Sequence, residues 1–154
     1  MALWHYTFRF VPRLAFEKVF PSMGLYDIFY EDDILWKNSG VKKDLFDSIE
    51  CFLPFSKSWC EGRFIYGEQE KSNLSILVKD DGYTVCSVSL RISFIEENYE
   101  ALLSRLVHFF VENNFYIISE DFHGFLPDLD MMLHEITHSS RIGTYAVLSN
   151  RNPK

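Results

Sequence analysis

The 154-residue sequence is poor in the residues that mark a disulfide-stapled secreted domain, a zinc knuckle or a nucleotide loop. Its three cysteines, Cys51, Cys60 and Cys86, are odd in number and match neither C-x-x-C nor another zinc-like spacing, which argues against a disulfide framework and for a reducing compartment. The glycines, at 24, 40, 62, 67, 82, 124 and 143, are scattered, so no phosphate loop or dinucleotide fingerprint can be drawn from them. No apolar run approaches a membrane helix in length. The opening MALWHYTFRFVPRL alternates too strongly, with polar residues too early, for the core of a signal peptide. Positive charge is scarce too. Against 22 Asp and Glu stand 15 Lys and Arg, and the net charge of -7 disfavours direct nucleic-acid binding while steering in a basic partner. The expectation is a soluble cytoplasmic protein with no membrane association.

What the chain has in quantity is apolar and aromatic surface. Hydrophobic residues make up 47% and aromatics 17%, with fifteen Phe, eight Tyr and three Trp, enough for a real core in one domain spanning residues 1–154. Rings of this kind serve equally as core filling and as interface anchors.

In ALWHYTFRFV the residues Trp4, Tyr6, Phe8 and Phe10 fall on one side of a half-buried strand, with His5, Thr7 and Arg9 on the other. Pro12 then suits the first position of a short helix through PRLAFEKVF that stops at Pro21. Residues 21–40 mix dense apolar positions with acids and read as loop with at most a helical turn. From Val41 to Leu53, the spacing of Leu45, Ile49, Phe52 and Leu53 predicts a helix ending before Pro54. GRFIYGE and SNLSILVKDDGYTVCSVSLRISF read as strands. Asp81-Gly82 turns a hairpin whose second arm sets Cys86, Val88, Leu90 and Ile92 against Val85, Ser87, Ser89, Arg91 and Ser93. A long amphipathic helix follows, stopping near Asn113-Asn114, then a buried strand FYIIS, a loop EDFHGFLP, a last helix DLDMMLHEITHSS, and TYAVLS as a short strand or extended tail. This order predicts an α+β sandwich, a mainly antiparallel sheet with helices packed on one face.

HEITH, residues 134–138, matches the H-E-x-x-H zinc helix, in which two histidines one turn apart bind the metal and the glutamate acts as base. His134 and His138 do share a helix face. Leu129, Met132, Leu133 and Ile136 define the buried face, however, and at 100° per residue both histidines point roughly 140° to 180° away from its centre. Catalytic zinc also needs a third protein ligand, and SSRIGTYAVLSNRNPK offers no His, Asp, Glu or Cys. Only upstream His123, Asp128 or Asp130 could complete a site. No cofactor, metal or catalytic residue is therefore expected, and a zinc hydrolase using His134, His138 and Glu135 is kept as an alternative.

LYDIFYEDDILW interleaves aromatics with acids. Rings rimmed by charge are what an electrostatically steered protein interface uses, so Tyr26, Tyr30, Glu31, Asp32, Asp33 and Trp36 are the candidate partner-binding residues, with Glu120 and Asp121 as a second acidic patch. LWHYTFRFVP, SWCEGRFIYGEQEKSNLSILVKDDG, and FLPDLDMMLHEITHSS followed by NRNP resemble small bacterial proteins of the immunity type, encoded beside polymorphic or contact-dependent toxins. The likeness covers most of the chain in its order of elements, and no single motif carries it. It implies a protein without catalytic activity that binds one cognate toxin, often a nuclease, and occludes its active site or a neighbouring surface. It assigns no site residue. A structural or regulatory protein-binding module is the remaining alternative.

Overall fold

In the computed structural model, which describes residues 3–151, the alternating stretch at the start is β1 (His5–Pro12), and the sheet is built around it. It is flanked by β5 (Val85–Ser93) and β6 (Phe115–Ser119), both antiparallel, so that Phe8 lies opposite Leu90 on one side and Ser119 on the other. Outside β5 come β4 (Asn73–Val78), β3 (Arg63–Gly67) and β2 (Phe55–Lys57), and outside β6 comes β7 (Gly124–Phe125). The result is a seven-stranded sheet in the order β2-β3-β4-β5-β1-β6-β7, antiparallel throughout, with helices packed on it, as the element order predicts. Both edge strands are very short, which limits the unpaired backbone an edge would expose.

Directly opposed residues on neighbouring strands share a face. One face carries Tyr6, Phe8, Phe10, Leu74, Ile76, Val88, Leu90, Ile92 and Ile117, all fully buried. It is covered by a 3₁₀ helix (Lys43–Cys51) through Phe46 and Ile49, by α4 (Tyr99–Glu112) through Leu103, Leu106 and Phe110, and by α5 (Leu129–Thr137) through Met132 and Ile136. Phe10 and Phe110 stack with ring centroids 3.7 Å apart. At about 1.5–3 kcal/mol for each large apolar side chain fully buried, this layer supplies most of the drive to fold.

A second, smaller cluster occupies part of the opposite face. Val11 and Ile118 meet Phe16 of α1 (Arg13–Val19), Ile28 and Phe29 of α2 (Leu25–Tyr30) and Leu35 of α3 (Asp33–Trp36). β1 is thus buried on its second face at Val11 as well, beyond what its alternation implies.

Several local expectations change, among them EDFHGFLP, expected as a loop, which carries β7 paired with β6. Residues 21–40 hold two short helices, α2 and α3, too brief for a helical period to show against their dense apolar background. The helix expected over 41–53 is a 3₁₀ helix, which buries Phe46 and Ile49, three residues apart, while Leu45 faces outward at 36% exposure. Pro12 closes β1 and caps α1 instead of opening the helix. TYAVLS lies within α6 (Ser140–Arg151), a short apolar run that alternation alone cannot assign, and Tyr145 of this helix packs edge-on against Phe94.

His5 couples this fold to pH. Its ring is 2% exposed, with Nε2 3.1 Å from the Glu70 carbonyl and Nδ1 buried without a hydrogen-bond partner. Burial pushes its pKa below 6.5, reinforced by nearby Arg91 and opposed by the Glu70 carbonyl. The unfolded chain therefore binds a proton that the folded chain refuses, so stability falls as pH drops through 6.5 toward the depressed folded value. Urea midpoints measured above and below that window should drop on acidification. His5→Gln should flatten the slope, and an unchanged slope in that variant would remove His5 as its source.

Candidate functional site

The structure separates the residues expected to meet a partner into two groups. Tyr26 and Tyr30 project from α2, each 60% exposed, with ring centroids 5.0 Å apart. Both touch Phe122, at 4.9 and 6.0 Å, making a three-ring cluster. Phe122 sits in the turn between β6 and β7 at φ +63°, where its N–H donates to the Ser119 carbonyl at 2.9 Å. A bulky residue in the left-handed region is strained by about 1–3 kcal/mol, so the tight turn holds this ring against α2 at a cost. Asp27 of α2, Glu31 at its C-terminus, Asp33 at the start of α3 and Asp121 of the β6–β7 turn are exposed as well.

Trp36 and Asp32 belong to the interior. Trp36 is 0% exposed and donates from Nε1 to the Phe10 carbonyl at 3.1 Å. Asp32 is 5% exposed, accepts from the Ser87 hydroxyl at 2.9 Å and lies 3.7 Å from Arg9. Burial raises its pKa above 3.8, outweighing the lowering by the Arg9 charge and the Ser87 hydrogen bond. Neither presents a surface to a partner, because dense aromatics beside acids mark the base of a packed helix here as well as a rim. Glu120 is committed too: it accepts from the Thr7 N–H at 2.7 Å and from Arg141 Nε at 2.6 Å. Asp121 accepts from the Tyr6 hydroxyl at 2.7 Å while staying exposed.

The HEITH histidines lie on the outer face of α5, as the helical spacing requires, with their rings stacked at 3.9 Å. His138 Nδ1 lies 3.0 Å from the His134 carbonyl and 3.1 Å from the Thr137 hydroxyl. Glu135 points the other way. It is 8% exposed and pairs with His123 Nδ1 at 2.6 Å, tying α5 to the β6–β7 turn. Asp128 caps α5 by accepting from the Met131 N–H at 2.9 Å. Among the described residues no three His, Cys, Asp or Glu side chains gather where they could hold a metal ion, which counts against the zinc-hydrolase alternative.

A feature that sequence reasoning passed over is a groove of about 470 Å³ on the second face of the sheet, beside the α1–α2 cluster. Its floor follows from register. Thr7, Arg91 and Asn73 form one row across β1, β5 and β4, and Arg9, Ser89, Ser75 and Ile65 form the next. Small polar residues fill these positions, so the face is left open where the opposite one is packed. Arg9, Arg63, Arg91 and Arg141 line it, with Glu120 as the single acid. The serine and arginine side of the β5 alternation was the available signal. It passes for an ordinary solvent face until β1, β3 and α6 bring more arginine beside it.

Comparison with protein-family models, with curated proteins and with solved structures finds no match. Among the described residues no helix is long and apolar enough to cross a membrane.

Proposed function

We propose that this is a non-catalytic binding protein of the immunity type, which neutralises a cognate toxin by seating the α2 and Phe122 surface on it. The single observation behind this reading is the pair of exposed rings Tyr26 and Tyr30 packed on the half-buried Phe122, which is held in place by a strained turn, with Asp27, Glu31, Asp33 and Asp121 exposed nearby in sequence. Tyrosines of this kind supply rigid buried area at low entropic cost, and a rim of one sign speeds encounter with a partner of the other. A basic toxin domain, such as a nuclease, suits the acidic rim. Asp32 and Trp36 contribute by holding α2 and α3 in place.

The test uses the product of the neighbouring gene. Co-expression of the chain should relieve growth arrest caused by that product, and Tyr26→Ala with Tyr30→Ala should abolish the relief, each truncation weakening binding by about 2 kcal/mol. Replacing Asp27, Glu31 and Asp33 together by lysine should slow association and reduce its salt dependence. A neighbouring product that is harmless, or protection that survives both sets of substitutions, defeats the proposal.

A further inference from the structure

The groove on the second face of the sheet differs in charge from the rest of the molecule. A chain of net charge -7 lines it with four arginines and one glutamate. Two of these arginines have internal uses. Arg141 pairs with Glu120 at 2.6 Å, and Arg9 is held by Ser87 at 3.2 Å, lies 3.7 Å from Asp32 and sits 5.2 Å above the Phe29 ring. Arg63 and Arg91 have none: among the described residues no carboxylate lies within 4.0 Å of either, although acids outnumber basic residues in the chain.

The strand register spaces these charges. Arg91 stands in the row of Thr7 and Asn73, Arg9 in the row of Ser89 and Ser75, and Arg63, opposite Leu77, in the row after that. Successive rows on one face lie about 7 Å apart along the strands. Arg91, Arg9 and Arg63 also stand on different strands, β5, β1 and β3, so positive charge is spread over the groove and not gathered at one point, above a floor of hydroxyl and amide groups. A single carboxylate or sulfate would meet one arginine and leave the others unsatisfied. An oligophosphate chain carries several linked anionic groups, each able to accept from a guanidinium fork and so to engage more than one of these arginines at once. The volume lies in the range of small-molecule sites.

We infer that the groove of Arg9, Arg63 and Arg91 is a binding site for a small molecule carrying an oligophosphate chain, either a nucleoside triphosphate or free polyphosphate. The site stands apart from the toxin-docking reading and holds whether or not that reading does. Phe29 and Tyr30 border both surfaces, so both are left unaltered in the test.

The experiment titrates the full chain at low salt with tripolyphosphate, with ATP and with citrate, following backbone amide resonances and binding heat. Tripolyphosphate or ATP should shift the amides of Ser75, Ser89 and Arg91. Arg63→Gln combined with Arg91→Gln should weaken binding by about tenfold or more, while Tyr26→Ala, outside the groove, should leave it unchanged. Equal affinity for tripolyphosphate and ATP identifies the phosphate chain as the whole determinant, whereas tighter ATP binding adds the nucleoside to it. Far-ultraviolet circular dichroism of the double variant confirms that it is folded, and Arg63→Lys with Arg91→Lys should restore part of the affinity. The inference is overturned if neither phosphate ligand binds, if citrate binds as tightly as tripolyphosphate, or if the folded double glutamine variant binds as well as the original chain.

Discussion

Trp36→Ala is expected to cost about 3–5 kcal/mol of folding stability, a large part of the 5–15 kcal/mol that holds a typical domain together. Trp36 is wholly buried, its ring lies 5.6 Å from that of Phe115, and its Nε1 donates to the Phe10 carbonyl in the central strand. Truncation removes the ring from the main core, leaves a cavity that neighbouring aromatics only partly fill, and strips a buried carbonyl of a donor. Trp36→Phe keeps most of the volume and loses mainly the hydrogen bond, so it should cost roughly 1–2 kcal/mol. Urea denaturation followed by circular dichroism reads both. A Trp36→Ala loss below about 1 kcal/mol would mean that α3 is not anchored through this ring.

Gly67→Ala should be nearly as damaging, at about 2–4 kcal/mol, for a different reason. Gly67 ends β3 at φ +95°, where an L side chain is strained in any surroundings. Its N–H donates to the Pro54 carbonyl at 2.7 Å and its own carbonyl accepts from the Ser56 hydroxyl at 2.8 Å, so it cannot easily rotate away. A Cβ there would collide with the Ser72 carbonyl and lie 3.1 Å from Asn73 Cα and 3.2 Å from Leu53 Cδ2. Backbone atoms supply the first two of these contacts. Gly40 is the internal control: at φ +70° with nothing within 4 Å, its replacement by alanine should cost only about 1 kcal/mol. Thermal denaturation of the two variants side by side checks the difference, and equal losses would show that φ strain, not the crowding around Gly67, sets the cost.

The long-range architecture was readable where one period held for a full element. The β5 alternation from Val88 to Ile92, the turn at Asp81-Gly82, the α4 stripe and the placement of the HEITH histidines come through, whereas at the start of β5 a register shift against β4 puts Val85, expected on the serine side, in the main core and leaves Cys86 half-buried. Gly82 does adopt φ +72°, and the Asp81 carboxylate accepts from the Tyr83 and Thr84 N–H groups and from the Thr84 hydroxyl, which holds its pKa down to about 2. Legibility fails where an element is short or buried on more than one side. α2 and α3 span six and four residues, and within them Ile28, Phe29, Leu35 and Trp36 are inside while Tyr26, Tyr30 and Ile34 are outside. Composition alone could not tell the anchors from the rim.

The groove was hidden by another limit. Its residues come from β1, β3, β4, β5 and α6, so no local window contains more than a fragment of it. Net charge misled in the same direction, since a total of -7 averages away the four arginines that line one groove.

The position of β1 in the sheet also governs the order of events during synthesis. β1 is made first among the strands, yet Phe8 must wait for Leu90 and then Ser119 before either edge of the strand is closed. Until β5 and β6 emerge, HYTFRFV is an aromatic strand with both edges and both faces unpaired, the kind of segment that self-associates or recruits chaperones. Closing such distant pairings costs loop entropy before the contacts repay it, which slows folding relative to a helical bundle of the same length. Yield in a cell should therefore depend on how quickly residues 85–119 follow β1 out of the ribosome.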